Sequence, residues 1–374
     1  MTVKKFAIVG GGLSGATIAQ ALLSCASEIE ITVFEKQSNV GGNLREKSIG
    51  GTLVHEHGPH IFHTKSDEVW RFIKPFSEWE PYFHRVTAYV RGQNVPIPFN
   101  FRSLDILYGD LSSEIKSLLL GQYGHGARVS VLKLMQDDNK LLRDLGDEIF
   151  NTVFKGYSEK QWGAPVGEVS KGVLSRVPVV VSYDDRYFDD KYQFIPVKGY
   201  TDMIHNMFSS DRITIKLNHD VDAYSNDLER FDHIFCTGAI DDFFGLKHGN
   251  LNYRSLVFEQ IEASSDFPNY PTHQTNFPNE YEFTRVVKYG MLNTQTSAEV
   301  YIAEFPKEYS PGDNKYYPVA NAQTENIYNK YVEEAKNYPN ITFSGRLADF
   351  KYYNMDQVIA RAIKQVKNYK LRQY

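Results

Sequence analysis

Six residues near the N-terminus have the spacing to hold a phosphate group. Gly10-Gly11-Gly12-Leu13-Ser14-Gly15 satisfies G-x-G-x-x-G, and each glycine has a physical task. Gly10 permits a tight turn, Gly12 lets a pyrophosphate approach the backbone, and Gly15 allows a helix to pack closely on a strand. A helix opening at Leu13 and Ser14 would aim its unpaired N–H groups at the anion. Glu35, 20 residues after Gly15, is an acceptor for ribose hydroxyls. The elements that must position these groups flank them. KKFAIV (4–9) reads as a buried parallel strand, Ala16 to Ser24 as helix, and ITVFE (31–35) as a second strand ending on the acid. A lone glycine-rich turn says little; strand, glycines, helix, strand and acid in that order specify a dinucleotide site.

The rest of the composition narrows the class. The 374 residues carry 41 basic and 46 acidic side chains, a formal charge of −5, which argues against a general nucleic-acid binder. The length suggests about two to three domain-sized units. Lys4 and Lys5 before an apolar stretch to Ala26 imitate a signal peptide, but the glycines at 10, 11, 12 and 15 divide it into strand and helix. No other window suits a membrane span, so a cytoplasmic location is expected. Cys25 and Cys236 are expected to be buried small hydrophobes, and no Cys/His cluster suggests a metal. With 25 Tyr, 24 Phe and 3 Trp, the chain has aromatic side chains enough to line a wet cleft as well as a core.

A second glycine pair follows the acid, in Lys36 and then Val40-Gly41-Gly42-Asn43. It resembles the FAD-specific extension of glutathione-reductase and amine-oxidase-like flavoproteins. Gly345-Arg346-Leu347 and Asn354-Met355-Asp356, leading into QVIARAIKQV, resemble their returning flavin segment, whose helix N-terminus would face the flavin and stabilise negative charge. The expected fold is α/β: a Rossmann-like FAD-binding domain from 1–80, 198–245 and 335–374, with an inserted helical subdomain over 100–175. An antiparallel β-sheet substrate domain is expected from 81–99, 183–197 and 246–334.

Over nearly its whole length the sequence resembles bacterial UDP-galactopyranose mutases. The matching motifs are Gly58-Pro59-His60-Ile61-Phe62-His63-Thr64, Phe154-Lys155-Gly156-Tyr157-Ser158-Glu159-Lys160-Gln161-Trp162-Gly163, Tyr183-Asp184-Asp185-Arg186-Tyr187-Phe188, Lys198-Gly199-Tyr200-Thr201, Phe283-Thr284-Arg285 and Tyr316-Tyr317-Pro318. The resemblance implies interconversion of the pyranose and furanose forms of a nucleotide-diphosphate sugar, with N5 of reduced FAD attacking sugar C1 and no net redox change. Covalent capture splits a difficult ring contraction into easier steps. It also implies an external electron donor and a homodimer.

The same resemblance assigns residues. The family places Arg176 on a mobile loop, here around 168–182; Arg176 and Arg285 clamp the departing diphosphate from opposite sides, a task suited to a planar fork that does not titrate. His63 joins them as a catalytic candidate, as a flavin contact more than as a base. Tyr157 stacks on the uracil, Trp162 lies beside the sugar, and Tyr187, Tyr317 and Tyr352 hydrogen-bond the diphosphate. Phe194, Asn276, Asn354 and His84 complete the substrate set. His60, Ile61, Val221, Arg346, Asn354, Met355 and Asp356 join Gly10, Gly12, Leu13, Ser14, Gly15, Glu35, Lys36, Gly42 and Asn43 around the cofactor.

Several positions depart from the family pattern. Asn354 stands where Asp is usual, His84 where Asn is usual, Val153 for Phe, Phe194 for a small residue, and Phe283 for Tyr, with Glu280-Tyr281-Glu282 before it. Changing hydrogen-bonding groups at a sugar site changes which hydroxyl pattern it accepts. UDP-galactose, dTDP-fucose and UDP-N-acetylgalactosamine therefore all stand as substrates at this point. An amine-oxidase-like flavin oxidoreductase and a non-catalytic nucleotide-sugar binder are the alternative classes.

Overall fold

A computed structural model describes residues 3–168, 178–262, 270–292 and 298–371. Its organising element is a five-stranded parallel sheet in the order Ile213–Lys216, Ile29–Phe34, Lys4–Val9, His233–Cys236, Ile341–Phe343. Phe6, Ala7, Ile8 and Val9 are all buried and apolar because both faces of Lys4–Val9 are covered, as in parallel sheets generally. Phe6 and Ile8 pack under the helices Leu13–Cys25, Tyr200–Phe208 and Met355–Leu371, whereas Ala7 and Val9 face Phe231, Phe243 and Tyr331. The chain leaves Lys4–Val9 toward Ile29–Phe34 on one side and pairs it with His233–Cys236 on the other. This reversal of strand order opens a crevice at the carboxyl ends of the strands, where Gly10 and Glu35 sit.

The opposite wall is a seven-stranded sheet in the order Tyr317–Pro318, Tyr253–Ile261, Val300–Glu308, Arg285–Tyr289, Gln274–Asn276, Val86–Val90, Gln93–Ile97. It departs from the expected antiparallel pattern at one place, since Gln274–Asn276 runs parallel to Val86–Val90. Helices Phe101–Tyr108, Ser112–Tyr123 and Lys140–Ile149 form a separate core with the last strands of this sheet, through Leu104, Ile115, Leu119, Leu142 and Leu145. The final helix widens into π-turns over Phe150–Lys155 before Gly156–Trp162. Residues 178–180, inside the segment expected to be a loop, form a strand paired with Arg128–Ser130. Of the two cysteines only Cys236 is buried; Cys25 lies exposed at the end of its helix, outside the packed part of the helix that ends at Leu22.

A buried ion cluster joins the two sheets. Lys315 Nζ lies 3.0 and 2.9 Å from the two carboxylate oxygens of Asp241 and 2.7 Å from Asp242, and Tyr253 donates to Asp241 at 3.2 Å. Asp241 belongs to the short helix Ile240–Phe243 after the parallel sheet, while Tyr253 begins a strand of the other sheet.

Candidate active site

The crevice end of the parallel sheet is shaped by missing side chains. Gly10 has φ +106°, and a Cβ there would come within 2.3 Å of Thr237 Oγ1. A Cβ on Gly15 would come within 2.1 Å of the Gly10 carbonyl oxygen, so helix Leu13–Cys25 rests directly on the turn. The second glycine pair folds back onto the first: Gly41 N–H donates to Gly11 O at 2.9 Å, and a Cβ on Gly42 would sit 3.1 Å from Gly12 Cα. Helix Leu13–Cys25 has no side-chain cap and no acid in its first turn, which leaves its N-terminal N–H groups for an anion. Glu35 is buried and accepts from Gly11 N–H and Gln37 N–H, both at 2.8 Å; each oxygen keeps lone-pair capacity for a ribose hydroxyl. Ser14 donates to Ser344 O at 3.0 Å, docking the returning 344–346 segment on the same helix. Val221 is buried beside Phe34, Asn43 is half-buried, and Lys36 points to solvent. These residues fit an FAD: the cradle is one that a single Cβ would fill, and the ribose acceptor is in place.

The far side of the crevice is built from side chains. Arg285 and Glu304 are directly opposite in neighbouring antiparallel strands. Arg285 Nε and Nη2 donate to the two oxygens of Glu304, both at 2.8 Å, with Glu304 fully buried. Burial alone would lower the guanidinium's pKa; the Glu304 charge overcomes this and holds it well above its ordinary value. Tyr157 and Tyr317 share this field, and Tyr187 acts on Tyr157. Burial pushes the Tyr157 phenol upward, and burial with Glu304 pushes Tyr317 up to about 12, so both remain hydrogen-bond donors. Tyr317 stacks on Tyr352 with ring centres 5.8 Å apart, Trp162 lies 6.2 Å away, and the Arg346 guanidinium stands over both tyrosine rings at 5.8 and 5.1 Å. Arg346 is fixed by donating to Tyr353 O at 2.7 Å.

Between these walls runs a row of imidazoles. His60 Nδ1 donates to Gly58 O at 2.8 Å, and burial, followed by His55 and Arg346, keeps the ring neutral well below its usual pKa. His63 lies flat on Phe188 at 3.6 Å, with Nδ1 3.0 Å from Asp190, a carboxylate that only accepts. Phe188 stacks in turn on His84, 5.9 Å away. His84 is buried, and its pKa falls to about 3 through burial, Arg285 and His63. Its Nδ1 has no hydrogen-bond partner among the described residues. Ile61 is buried in the neighbouring core, Thr64 donates to Asp356 at 3.1 Å, and Met355 packs beneath. Asn354 opens the helix Met355–Leu371, its carbonyl accepting from Val358 N–H at 3.0 Å. Asn276 lies across from Arg285 and accepts from Gln274 at 2.8 Å.

Phe194 lies apart from these groups. It stacks on Trp70 at 4.5 Å beside Tyr192, on the face of its strand turned away from Phe188. Strand alternation sends Gln193 to the other face, where its amide donates to Phe188 O and Asp190 O. Arg176 lies outside the described residues. Sequence reading missed Glu304, Asp190, His57 and Lys160. Glu304 had a signal: an acid in the otherwise apolar run VYIAEF, where a buried charge demands a partner. His57, whose Nδ1 lies 2.8 Å from the Tyr316 hydroxyl, had none.

A glycine-lined dinucleotide crevice facing an arginine framed by tyrosines is the architecture of a flavoenzyme that handles a phosphorylated ligand. A model of the UDP-galactopyranose mutase family matches residues 152–352, and one of the NAD(P)-binding Rossmann-like domain matches 8–76. The dTDP-fucopyranose mutase of Escherichia coli is 33% identical over 98% of this chain and 98% of its own. The probable UDP-galactopyranose mutase of Klebsiella pneumoniae is 32% identical over 97% and 94%. A crystal structure of reduced UDP-galactopyranose mutase superposes with a TM-score of 0.72 at 15% identity, covering 100% of this chain and 95% of that one. The chain belongs to the UDP-galactopyranose mutase family; it is a flavin-dependent isomerase, with FAD as its cofactor. Among the described residues no helix is long and apolar enough to cross a membrane.

Proposed function

We propose that the chain interconverts UDP-galactopyranose and UDP-galactofuranose. The observation that carries this reading is the Arg285–Glu304 pair inside a frame of Tyr157, Tyr187 and Tyr317, across the crevice from a dinucleotide cradle. Reduced FAD, when bound, supplies an electron-rich centre for the anomeric carbon. The chain's own residues do the rest. Arg285, already oriented by Glu304, offers its remaining N–H groups to the diphosphate as it leaves C1, where negative charge accumulates. The family resemblance gives Arg176 the same task. The tyrosine hydroxyls, kept protonated, donate to the same oxygens. Trp162 and the Tyr317–Tyr352 stack wall the sugar off from water, which would otherwise hydrolyse an activated anomeric carbon. Glu35 and the first turn of Leu13–Cys25 would hold the cofactor's adenosine ribose and pyrophosphate, and His63, steadied by Asp190, would be a contact for its flavin. An external donor reduces the flavin, and the enzyme works as a cytoplasmic homodimer.

Dithionite-reduced protein given UDP-galactose should yield a furanose peak on chromatography, and unreduced protein should not. Equal turnover with and without reductant would sink the mechanism. A second reading, dTDP-fucopyranose as substrate, draws on His84 and Asn354, a neutral imidazole and an amide in place of the family's usual Asn and Asp. The ratio of kcat/KM for the two nucleotide sugars decides between them.

A further inference from the structure

Lys160 projects from the short helix Gly156–Trp162 that also carries Tyr157 and Trp162. Its ammonium donates to three backbone carbonyls at once: Phe277 O, Tyr281 O at 2.8 Å and Phe283 O at 3.2 Å. Those carbonyls belong to the turn that leads directly into Arg285. The same turn and helix meet twice more. Asn279 donates to Thr152 O at 3.0 Å, and a Cβ on Gly156 would come within 2.4 Å of Asn279 Oδ1. From behind, Arg254 donates to Gln161 O at 3.1 Å and to Lys160 O at 3.3 Å. Three acceptors saturate the three donors of an ammonium. Nothing about this arrangement requires the ligand; it fixes the distance between the two residues that meet it.

We propose that Lys160 is a positioning residue: its ammonium ties the 277–283 turn to the helix Gly156–Trp162, so that Arg285 and Tyr157 meet the nucleoside diphosphate as one rigid unit. This rests on the mutase reading only in taking a nucleoside diphosphate as the ligand. Pre-organising two contacts removes an ordering cost from binding, so the effect falls on affinity. The device also has a pH limit. Burial brings the Lys160 pKa down to about 8, against the support of the nearby Glu280 carboxylate. The other charged groups around it are committed elsewhere: Glu159 accepts from Val166 N–H, Glu304 from Arg285, and Arg254 faces the helix carbonyls. The Tyr281 side chain, on the turn itself, stacks on Phe283. Above its pKa the group keeps two donors for three carbonyls, and the clamp weakens.

The test is the Kd of FAD-loaded protein for UDP and for dTDP, followed by tryptophan fluorescence, for wild type and Lys160→Met. The variant should bind about tenfold more weakly at about pH 7, the scale of losing charged hydrogen bonds. That gap should shrink as the pH rises to about 9.5, where the wild type loses its charge as well. A packing role alone would give a gap independent of pH. Equal affinities, or a gap unchanged across that range, would overturn the proposal. Wild type binding neither nucleotide would instead overturn the mutase reading and take this inference with it. If Lys160→Met fails to retain flavin, Glu280→Gln carries the same test from an exposed position. Removing the carboxylate should move the alkaline weakening of UDP binding to lower pH, and an unmoved limb would refute the clamp.

Discussion

At the parallel sheet the groups we propose for holding the cofactor are mostly backbone: the N–H groups opening Leu13–Cys25 and the bare Cα atoms of Gly12 and Gly42. At the seven-stranded sheet the groups we propose for the substrate are side chains, Arg285 oriented by Glu304, with Tyr157 and Tyr317, gathered from remote stretches. The first region is fixed by what it lacks, since any Cβ at Gly10 or Gly15 collides. The second is fixed by charge balance, since Arg285 is placed by a carboxylate that is itself buried. The two should therefore fail differently. Damage to the first should cost the cofactor, and damage to the second should cost turnover with the cofactor retained.

The largest effect is expected where the regions are joined. Lys315→Met strands Asp241, fully buried, without its cation, and breaking one side of a buried pair costs about 3–5 kcal/mol. Urea unfolding should show that loss in flavin and tryptophan signals together. A loss seen by one probe only would mean that the two sheets unfold independently. Next comes Arg285→Ala, for which turnover should fall by about 10²–10³-fold at saturating substrate with the flavin-to-protein ratio unchanged. Arg285→Lys keeps a charge for Glu304 without the planar fork, and should restore stability more than rate. Gly15→Ala should cost about 1–3 kcal/mol, because the new methyl lies on the Gly10 carbonyl and the helix must slide. Its signature is a lower flavin-to-protein ratio with normal turnover per bound flavin. If Arg285→Ala strips the flavin, or Gly15→Ala slows the flavin-loaded enzyme, the division between backbone and side-chain regions is wrong.

The same division explains what the sequence made legible. The cradle could be read directly because its parts are consecutive: strand, glycines, helix, strand and Glu35 follow one another, and each has one backbone task. Strands such as Val300–Glu308 and Arg285–Tyr289 fall inside the stretch 246–334 read as antiparallel sheet, but their register could not be read. Without register, the pairing of Arg285 with Glu304 has no sequence signature. Phe194 shows the cost of a one-residue ambiguity. On a strand, the neighbour of a site residue faces the opposite way, and here the bulky ring belongs to the core against Trp70 while Gln193 faces Phe188. Lys160 sits inside a recognisable motif and Asp190 just beyond one; their partners, the carbonyls before Arg285 and His63, are close only in space.

The smallest expected effect separates the regions by acid. His84 is buried on the side-chain wall, and burial, Arg285 and His63 lower its pKa from 6.5 to about 3. Between those values the unfolded chain takes up a proton that the folded protein refuses. Stability is therefore complete above about pH 6.5 and falls as the pH drops toward the folded value, by at most about 1.4 kcal/mol per pH unit for this group. His84→Asn removes the titration. Whatever the substitution costs at about pH 7, the variant should recover about 1.4 kcal/mol relative to wild type by about pH 5.5, read as a relative gain in urea midpoint. Gly15→Ala, in a cradle without a titrating imidazole, should be displaced from wild type by the same amount at both pH values. Parallel acid slopes for wild type and His84→Asn would show that the folded protein accepts a proton at His84, and that the field of Arg285 does not reach it.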